Sequence, residues 1–139
     1  MSKPLAGVLA VAHTPFNDDD TIDADSLRRA VDWAYSVGAD GVGTGMVSEV
    51  VKLTGHERSA LTAMLVEFSD GRGPVFAAVG GESTRQTLVT AASAVKAGAR
   101  AVMATPPLTG RLTDREMTDH YRALAEAVEV PVIVQDASG

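Results

Sequence analysis

The sequence predicts an α/β fold built on a parallel sheet. Apolar runs of strand length alternate along the 139 residues with segments of helical periodicity. Residues 36–42 resemble residues 96–102, since each segment has a helix end, a glycine and then a buried strand. A βα unit that recurs in this way indicates parallel strands joined by helices.

The strands are predicted from short apolar runs that end at glycine or proline. The first run is nearly continuous in apolar residues, which is typical of a strand buried on both faces, and it stops at Thr14-Pro15-Phe16. The predicted strands cover residues 5–12, 41–43, 74–79, 101–104 and 131–135.

The helices are predicted from their capping residues. Asp23 is a good N-cap for the first helix, which Gly38 closes as a C′ residue. Three further pairs fit the capping box, in which a Ser or Thr and a residue three positions later satisfy each other's backbone amides. These pairs are Thr54 with Glu57, Ser83 with Gln86, and Thr113 with Glu116, and their helices run to about Ser69, Lys96 and Val128.

Two architectures contain such alternating units, namely the doubly wound open sheet and the (β/α)8 TIM barrel. The first βα turn is Thr14-Pro15-Phe16 followed by an acidic loop, and it lacks the G-x-G-x-x-G nucleotide fingerprint. The barrel is therefore favoured. Because a complete barrel needs about 250 residues, we expect residues 1–139 to form the N-terminal part of one barrel domain, with five strands and four helices.

The composition excludes several kinds of chemistry. The chain has no cysteine, which removes disulfides, thiolate catalysis and cysteine-ligated metals. Its net charge of −6 disfavours a nucleic-acid partner, which would require a basic surface. No apolar run approaches the roughly 18 residues of a membrane span, so we expect no membrane partner and a cytoplasmic location.

The stretch 43–49, Gly-Thr-Gly-Met-Val-Ser-Glu, is the main candidate for a site. It follows a predicted strand, and a glycine-rich turn at that point lets backbone amides approach a small anion. The alternative is a plain turn, since any βα connection needs small residues.

Several motifs in order carry a resemblance that covers nearly the whole chain. They are Thr14-Pro15-Phe16, Ile22-Asp23, the turn from Gly45 to Glu49, Leu53-Thr54, Glu57-Arg58, Pro106-Pro107 and His120-Tyr121. In this order and spacing the sequence resembles the dihydrodipicolinate synthase and N-acetylneuraminate lyase family. The resemblance implies a TIM barrel, usually a homo-oligomer, in which a lysine near the end of strand six forms a Schiff base with pyruvate or a related small 2-keto acid. It implies no metal and no dissociable cofactor.

The resemblance also implies the site residues. The substrate would be bound by Thr14, Met46, Val47 and Ser48, with the backbone donors of Met46 and Val47 holding its carboxylate. Gln135 stands where the family has a catalytic tyrosine, in the segment 135–138.

Three departures from the family pattern argue against dihydrodipicolinate synthesis itself. The family turn Gly-Thr-Thr-Gly-Glu reads Gly-Met-Val-Ser-Glu at 45–49, so both threonine hydroxyls are lost. Gln135 can form hydrogen bonds but cannot exchange a proton as a phenol does. Residues 106–109 lack the two aromatic side chains of many synthases. A divergent member that acts on another 2-keto acid fits better.

The remaining ionisable residues give weaker candidates. None of the lysines, Lys3, Lys52 and Lys96, ends a strand, so we expect the Schiff-base lysine outside this sequence. Glu49 is either a general base or, as favoured here, a structural carboxylate at the start of the second helix. His13 is expected in a loop or core and His56 and His120 on the exterior; their spacing does not suit a metal.

Two functions remain open from the sequence. The first is a lyase, aldolase or dehydratase that uses a Schiff base, in which residues 1–139 alone are inactive. The second is a non-catalytic product, either truncated or a half-barrel, that associates with another chain to cover its unpaired strand edges.

Overall fold

The computed structural model describes residues 5–136, which form one five-stranded parallel sheet with four α-helices. The strands are β1 (Leu9–Val11), β2 (Gly41–Gly43), β3 (Val75–Ala78), β4 (Ala101–Ala104) and β5 (Val132–Val134). The helices are α1 (Ala24–Ser36), α2 (Gly55–Ser69), α3 (Thr84–Lys96) and α4 (Asp114–Ala127). Two 3-10 turns, Met46–Ser48 and Val50–Lys52, lie between β2 and α2.

The strand order decides between the two architectures. The strands lie in the order β1-β2-β3-β4-β5, and each helix packs against the next, α1 on α2, α2 on α3 and α3 on α4. A doubly wound sheet requires a point at which the strand order reverses. The sequential order has no such point, so the sheet is wound in one direction as in a (β/α)8 barrel.

The two faces of the sheet bury different cores. The helix-facing side packs on α1 and α2 through Leu27, Leu61 and Leu65, and on α3 and α4 through a second cluster around Leu124. The opposite face, here called the inner face, carries a smaller cluster of Leu5, Leu9, Phe76, Ala101, Met103 and Ile133. Parallel sheets are characteristically buried on both faces.

The inner face of β2 consists of glycine, because neighbouring side chains occupy the space beside it. A Cβ on Gly43 would lie 2.3 Å from both the ring atom Cδ1 and the carbonyl oxygen of Phe76. A Cβ on Gly41 would lie 2.5 Å from the carbonyl oxygen of Pro74 and 2.8 Å from Leu9 Cδ2. Leu9 of β1 and Phe76 of β3 thus close over β2.

The predicted helix starts are confirmed, with one correction. Asp23 caps α1 by accepting from Ser26 N at 3.0 Å, and the capping boxes at Thr54 and Thr113 are both formed. At α3, Ser83 Oγ accepts from Gln86 N as expected, but Gln86 Oε1 accepts from Glu82 N at 3.0 Å. The predicted reciprocal box at Ser83 is therefore wrong, because the glutamine side chain bonds one residue earlier.

Three strands are shorter than predicted for identifiable reasons. Before β1, Val8 N donates to Asp40 Oδ2 at 2.8 Å, so a side chain takes the place of a neighbouring strand. Pro74 and Pro131 have no amide to donate. Their carbonyl oxygens accept from the adjacent strands, from Val42 N at 3.2 Å and Val102 N at 3.0 Å, so each proline borders its strand.

The expectation that His120 is exterior is wrong. His120 is 3% exposed, and its Nδ1 lies 2.9 Å from Thr84 Oγ1 at the start of α3. The imidazole faces into the α3–α4 contact, since its bonding partner Thr84 lies at the start of α3. Its burial lowers the pKa of His120 below the ordinary value of 6.5.

We predict that Gly43→Ala destabilises the full-length protein by about 3 kcal/mol, because the new methyl group must displace both the ring and the backbone of Phe76. The matched control is Gly55→Ala, where an added Cβ has no neighbour within 4 Å. Urea unfolding of both variants measures the difference. Equal midpoints for the two variants would contradict the close packing over β2.

The second prediction concerns pH. The unfolded chain protonates His120 as the pH falls through about 6.5, whereas the folded chain keeps it neutral to lower pH. The unfolded state then binds more protons, so the free energy of unfolding should decrease between about pH 7 and pH 5. His120→Gln should flatten this dependence, while exposed His56→Gln should retain it. Identical slopes in urea titrations of the two variants would refute the assignment to His120.

Candidate active site

The turn after β2 is held in place by Ser48. Its backbone N donates to Gly45 O at 3.0 Å, and its hydroxyl oxygen accepts from Gly45 N at 3.0 Å. The same hydroxyl donates to Ala12 O at the end of β1. Ser48 is completely buried, so its bond to Gly45 N is shielded from water.

Thr14 holds the same turn from the other side. It is 7% exposed, and its Oγ1 donates to Ser48 O at 2.6 Å. The structure therefore brings Thr14, Ser48 and the turn residues Met46 and Val47 together at the carboxyl end of β1 and β2. Both hydroxyls bond to main-chain atoms, which makes Thr14 and Ser48 positioning residues of the turn.

The amides of Met46 and Val47 are the available donors of this turn. They precede its first internal bond, from Ser48 N to Gly45 O, and no described residue accepts from either. Their side chains are exposed, by 41% for Met46 and 55% for Val47. Two adjacent unpaired amides at an accessible turn can bind a carboxylate oxygen.

Glu49 and Lys52 pair with each other beyond the turn. Glu49 has a left-handed backbone with φ of 61°, and its Oε2 lies 2.7 Å from Lys52 Nζ. The start of α2 is capped by Thr54 and Glu57 instead. Glu49 thus makes a structural ion pair, in keeping with the favoured structural role, but with Lys52 and not at the start of α2. Lys52 has 75% of its side chain exposed, so it lacks the buried setting that a Schiff-base lysine needs.

Gln135 follows β5 and is half-buried. Its main-chain N donates to Ala104 O at 3.0 Å and so extends the pairing of β5 with β4 by one residue. Met103 pairs with Ile133 on the inner face, and the alternation along a strand places Gln135 on that face too. Residues 137 and 138 of the predicted segment lie outside the described residues.

Tyr121 also bonds at the end of β4, a contact that the sequence did not indicate. Its phenol donates to Ala104 O at 3.0 Å. Burial, and to a lesser extent the charge of Asp136, raises the pKa of this phenol above 10. The Tyr121 hydroxyl is therefore a protonated donor to main chain.

Two further contacts were missed from the sequence. Thr44, 3% exposed, accepts from Ala78 N at 2.8 Å and so ties the end of β2 to β3. The Glu82 carboxylate accepts from Leu108 N, Thr109 N and Thr109 Oγ1, which fixes the loop after β4. The Thr109 hydroxyl, followed by the two amides, lowers the pKa of Glu82.

A cavity of about 460 Å³ lies between the starts of α2 and α3 and beside this loop. Arg58 and Arg85 contribute to its wall together with several valines and leucines. The residues that line it do not include any of the five predicted site residues. Within residues 5–136, no three His, Asp or Glu side chains are placed to hold a metal ion, and no helix is long and apolar enough to cross a membrane.

The fold and the turn define a class of protein. A parallel sheet wound in sequence, with its candidate site at the carboxyl ends of the strands, is part of a (β/α)8 barrel, and barrel enzymes carry their active sites at that end. Residues 4–138 match the model of the dihydrodipicolinate synthetase family, and the chain belongs to that family.

Individual relatives agree with this assignment. The chain is 32% identical over 138 residues to the 4-hydroxy-tetrahydrodipicolinate synthase of Methylibium petroleiphilum, covering 99% of this chain and 47% of the relative. It is 35% identical to the 4-hydroxy-tetrahydrodipicolinate synthase of Aromatoleum aromaticum, and this match covers 97% of this chain and 47% of the relative. The chain thus spans slightly less than half the length of these relatives.

Solved structures show the same fold. Dihydrodipicolinate synthase from Bacillus anthracis superposes with a TM-score of 0.90 at 27% identity, covering 96% of this chain and 46% of that one. The chloride-inhibited dihydrodipicolinate synthase of Acinetobacter baumannii, complexed with pyruvate, superposes with a TM-score of 0.88 at 29% identity. This match covers 92% of this chain and 44% of that one.

We predict that Ser48→Ala destabilises the full-length protein by about 1 to 3 kcal/mol, because Gly45 N and Ala12 O lose their buried partner. Ser36→Ala is the matched control, since the Ser36 hydroxyl also donates to a carbonyl, Trp33 O, but on an exposed surface. The control should change stability by less than about 0.5 kcal/mol. Thermal unfolding compares the two, and equal losses would contradict the role of Ser48.

Proposed function

We propose that the full-length protein is a lyase, aldolase or dehydratase that binds a small 2-keto acid as a Schiff base. The observation that carries this proposal is the pair of unpaired amides at Met46 and Val47, on a turn fixed by Ser48 and Thr14. Membership of the dihydrodipicolinate synthetase family supports it, and pyruvate is bound in the related synthase of Acinetobacter baumannii.

In this proposal the turn binds the carboxylate of the 2-keto acid through the Met46 and Val47 amides. The keto group then faces the interior of the barrel, where an unprotonated lysine attacks its carbon and water leaves to form the imine. The protonated imine withdraws electrons from C3, which permits bond formation or cleavage there. We expect this lysine outside residues 1–139, on a later strand.

Proton transfer in the proposed site differs from that of the dihydrodipicolinate synthases. Met46 and Val47 have no hydroxyl, and those of Thr14 and Ser48 donate to main chain. Gln135 can orient a hydroxyl group or a water molecule near the imine by hydrogen bonding. Its side-chain amide cannot act as a general acid or base. We therefore propose that the substrate differs from that of the dihydrodipicolinate synthases.

The organisation of the protein follows the same proposal. Residues 1–139 are the N-terminal part of one barrel domain, and the full-length protein is a homo-oligomer that needs no metal or organic cofactor. Its partner is the small 2-keto acid, without nucleic acid or membrane. The cytoplasmic location stays a prediction.

The alternative is a non-catalytic half-barrel that pairs with another chain. One observation favours it, because within residues 5–136 both β1 and β5 have a strand neighbour on one side only. Unpaired edges favour association with further strands.

Trapping with borohydride separates these functions. Full-length protein incubated with pyruvate and sodium borohydride should gain the mass of pyruvate less one oxygen atom, because imine formation releases water and reduction adds two hydrogens. Peptide mapping should place the adduct on a lysine outside residues 1–139. Lys52→Arg should be trapped equally well, since Lys52 is solvated and paired with Glu49.

Absence of any adduct from the full-length protein would reject the Schiff-base enzyme and favour the half-barrel. An adduct lost in Lys52→Arg would instead identify Lys52 as the nucleophile. Residues 1–139 expressed alone should show no mass increase.

A further inference from the structure

The surface directly beneath the turn is apolar. A Cβ on Gly45 would lie 3.1 Å from Val11 Cγ1 and 3.4 Å from Met103 Cε. Both methyl groups therefore converge on the residue that precedes the Met46 amide. Within residues 5–136, Met103 is 8% exposed, and Val11, which lies on the edge strand β1, is 39% exposed.

Two glycines at and just after the end of β2 explain why side chains from two other strands reach this point. Gly43 of β2 and Gly45 of the following turn leave the inner face without side chains, and the Phe76 side chain packs against Gly43. Val11 from β1 and Met103 from β4 then occupy the level nearest the turn. The floor is thus built from side chains of β1 and β4.

Three hydroxyl side chains near the floor are directed to main-chain atoms. Thr14 donates to Ser48 O, Ser48 donates to Ala12 O, and Thr44 accepts from Ala78 N. The nearest carboxylate along the chain, Glu49, pairs with Lys52. A ligand group resting on Val11 and Met103 therefore meets methyl groups, while its carboxylate end meets amides.

We propose that Val11 and Met103 determine specificity by selecting 2-keto acids whose tail is hydrocarbon over those whose tail carries a charge. This inference rests on the proposed Schiff-base function and adds the substrate class. A hydrocarbon tail gains from burial against the two methyl groups. A charged tail at the same place loses water, and neither methyl group offers it a hydrogen bond in return.

The test compares two keto acids of equal length, 2-oxohexanoate and 2-oxoadipate, which differ in having a methyl or a carboxylate end. Full-length protein is mixed with both at equal concentration, and borohydride traps the imines for mass spectrometry. A salt concentration near 1 M screens the general repulsion of the dianion by the acidic protein. We expect 2-oxohexanoate to be trapped at least about tenfold faster.

A pair of variants assigns the preference to the floor. Val11→Thr replaces a methyl group by a hydroxyl at nearly constant shape and should lower the trapping ratio about threefold or more. Val134→Thr is the matched control, because Val134 also ends an edge strand and is exposed, but it pairs with Ala104 on the helix-facing side. The control should leave the ratio unchanged.

Each result decides the inference. Equal trapping, a preference for 2-oxoadipate, or equal ratios in the two variants would overturn it while leaving the Schiff-base function intact. Trapping of pyruvate but of neither longer acid would also overturn it, since the floor would then be closed to a tail. Failure to trap pyruvate would reject the proposed function itself, and this inference with it.

Discussion

The geometry of the candidate site depends on one buried hydroxyl. Ser48 joins the amide of Gly45 to the carbonyl of Ala12, and so connects the turn after β2 to the end of β1. Thr14 adds a bond from β1 to the carbonyl of Ser48. Because these partners are main-chain atoms, the turn is fixed whatever side chains Met46 and Val47 carry. The site can therefore change its side-chain chemistry while it keeps its backbone donors.

Two glycines, Gly43 at the end of β2 and Gly45 in the turn that follows, contribute the second constraint. At Gly43 the neighbouring Phe76 ring occupies the place of a side chain, and at Gly45 Val11 and Met103 come close to it. The strand that leads to the turn thus supplies backbone alone, and the flanking strands supply the surface. This division explains why an accessible amide pair and an apolar floor lie next to each other.

The sequence predicted the elements well because their signals are local. Capping at Asp23, Thr54 and Thr113 depends on residues three positions apart, and all three caps are formed. The strand limits depended on long-range partners, such as the Asp40 side chain that bonds to Val8 N. His120 was misplaced for the same reason. Its hydrogen bond crosses to Thr84, 36 residues away, which no periodicity within α4 reveals.

The sequence identified the turn but not the directions of its side chains. Thr14 and Ser48 were candidates for substrate binding because the family resemblance implied them. Once folded, both hydroxyls donate to carbonyl oxygens, so neither is available as a donor to a ligand. The family resemblance indicated which hydroxyls were lost, whereas only the packing around Gly45 shows what replaces them. Methyl groups of Val11 and Met103 stand beside the turn that we propose to bind a carboxylate, and this combination favours a ligand that is anionic at one end and hydrocarbon at the other.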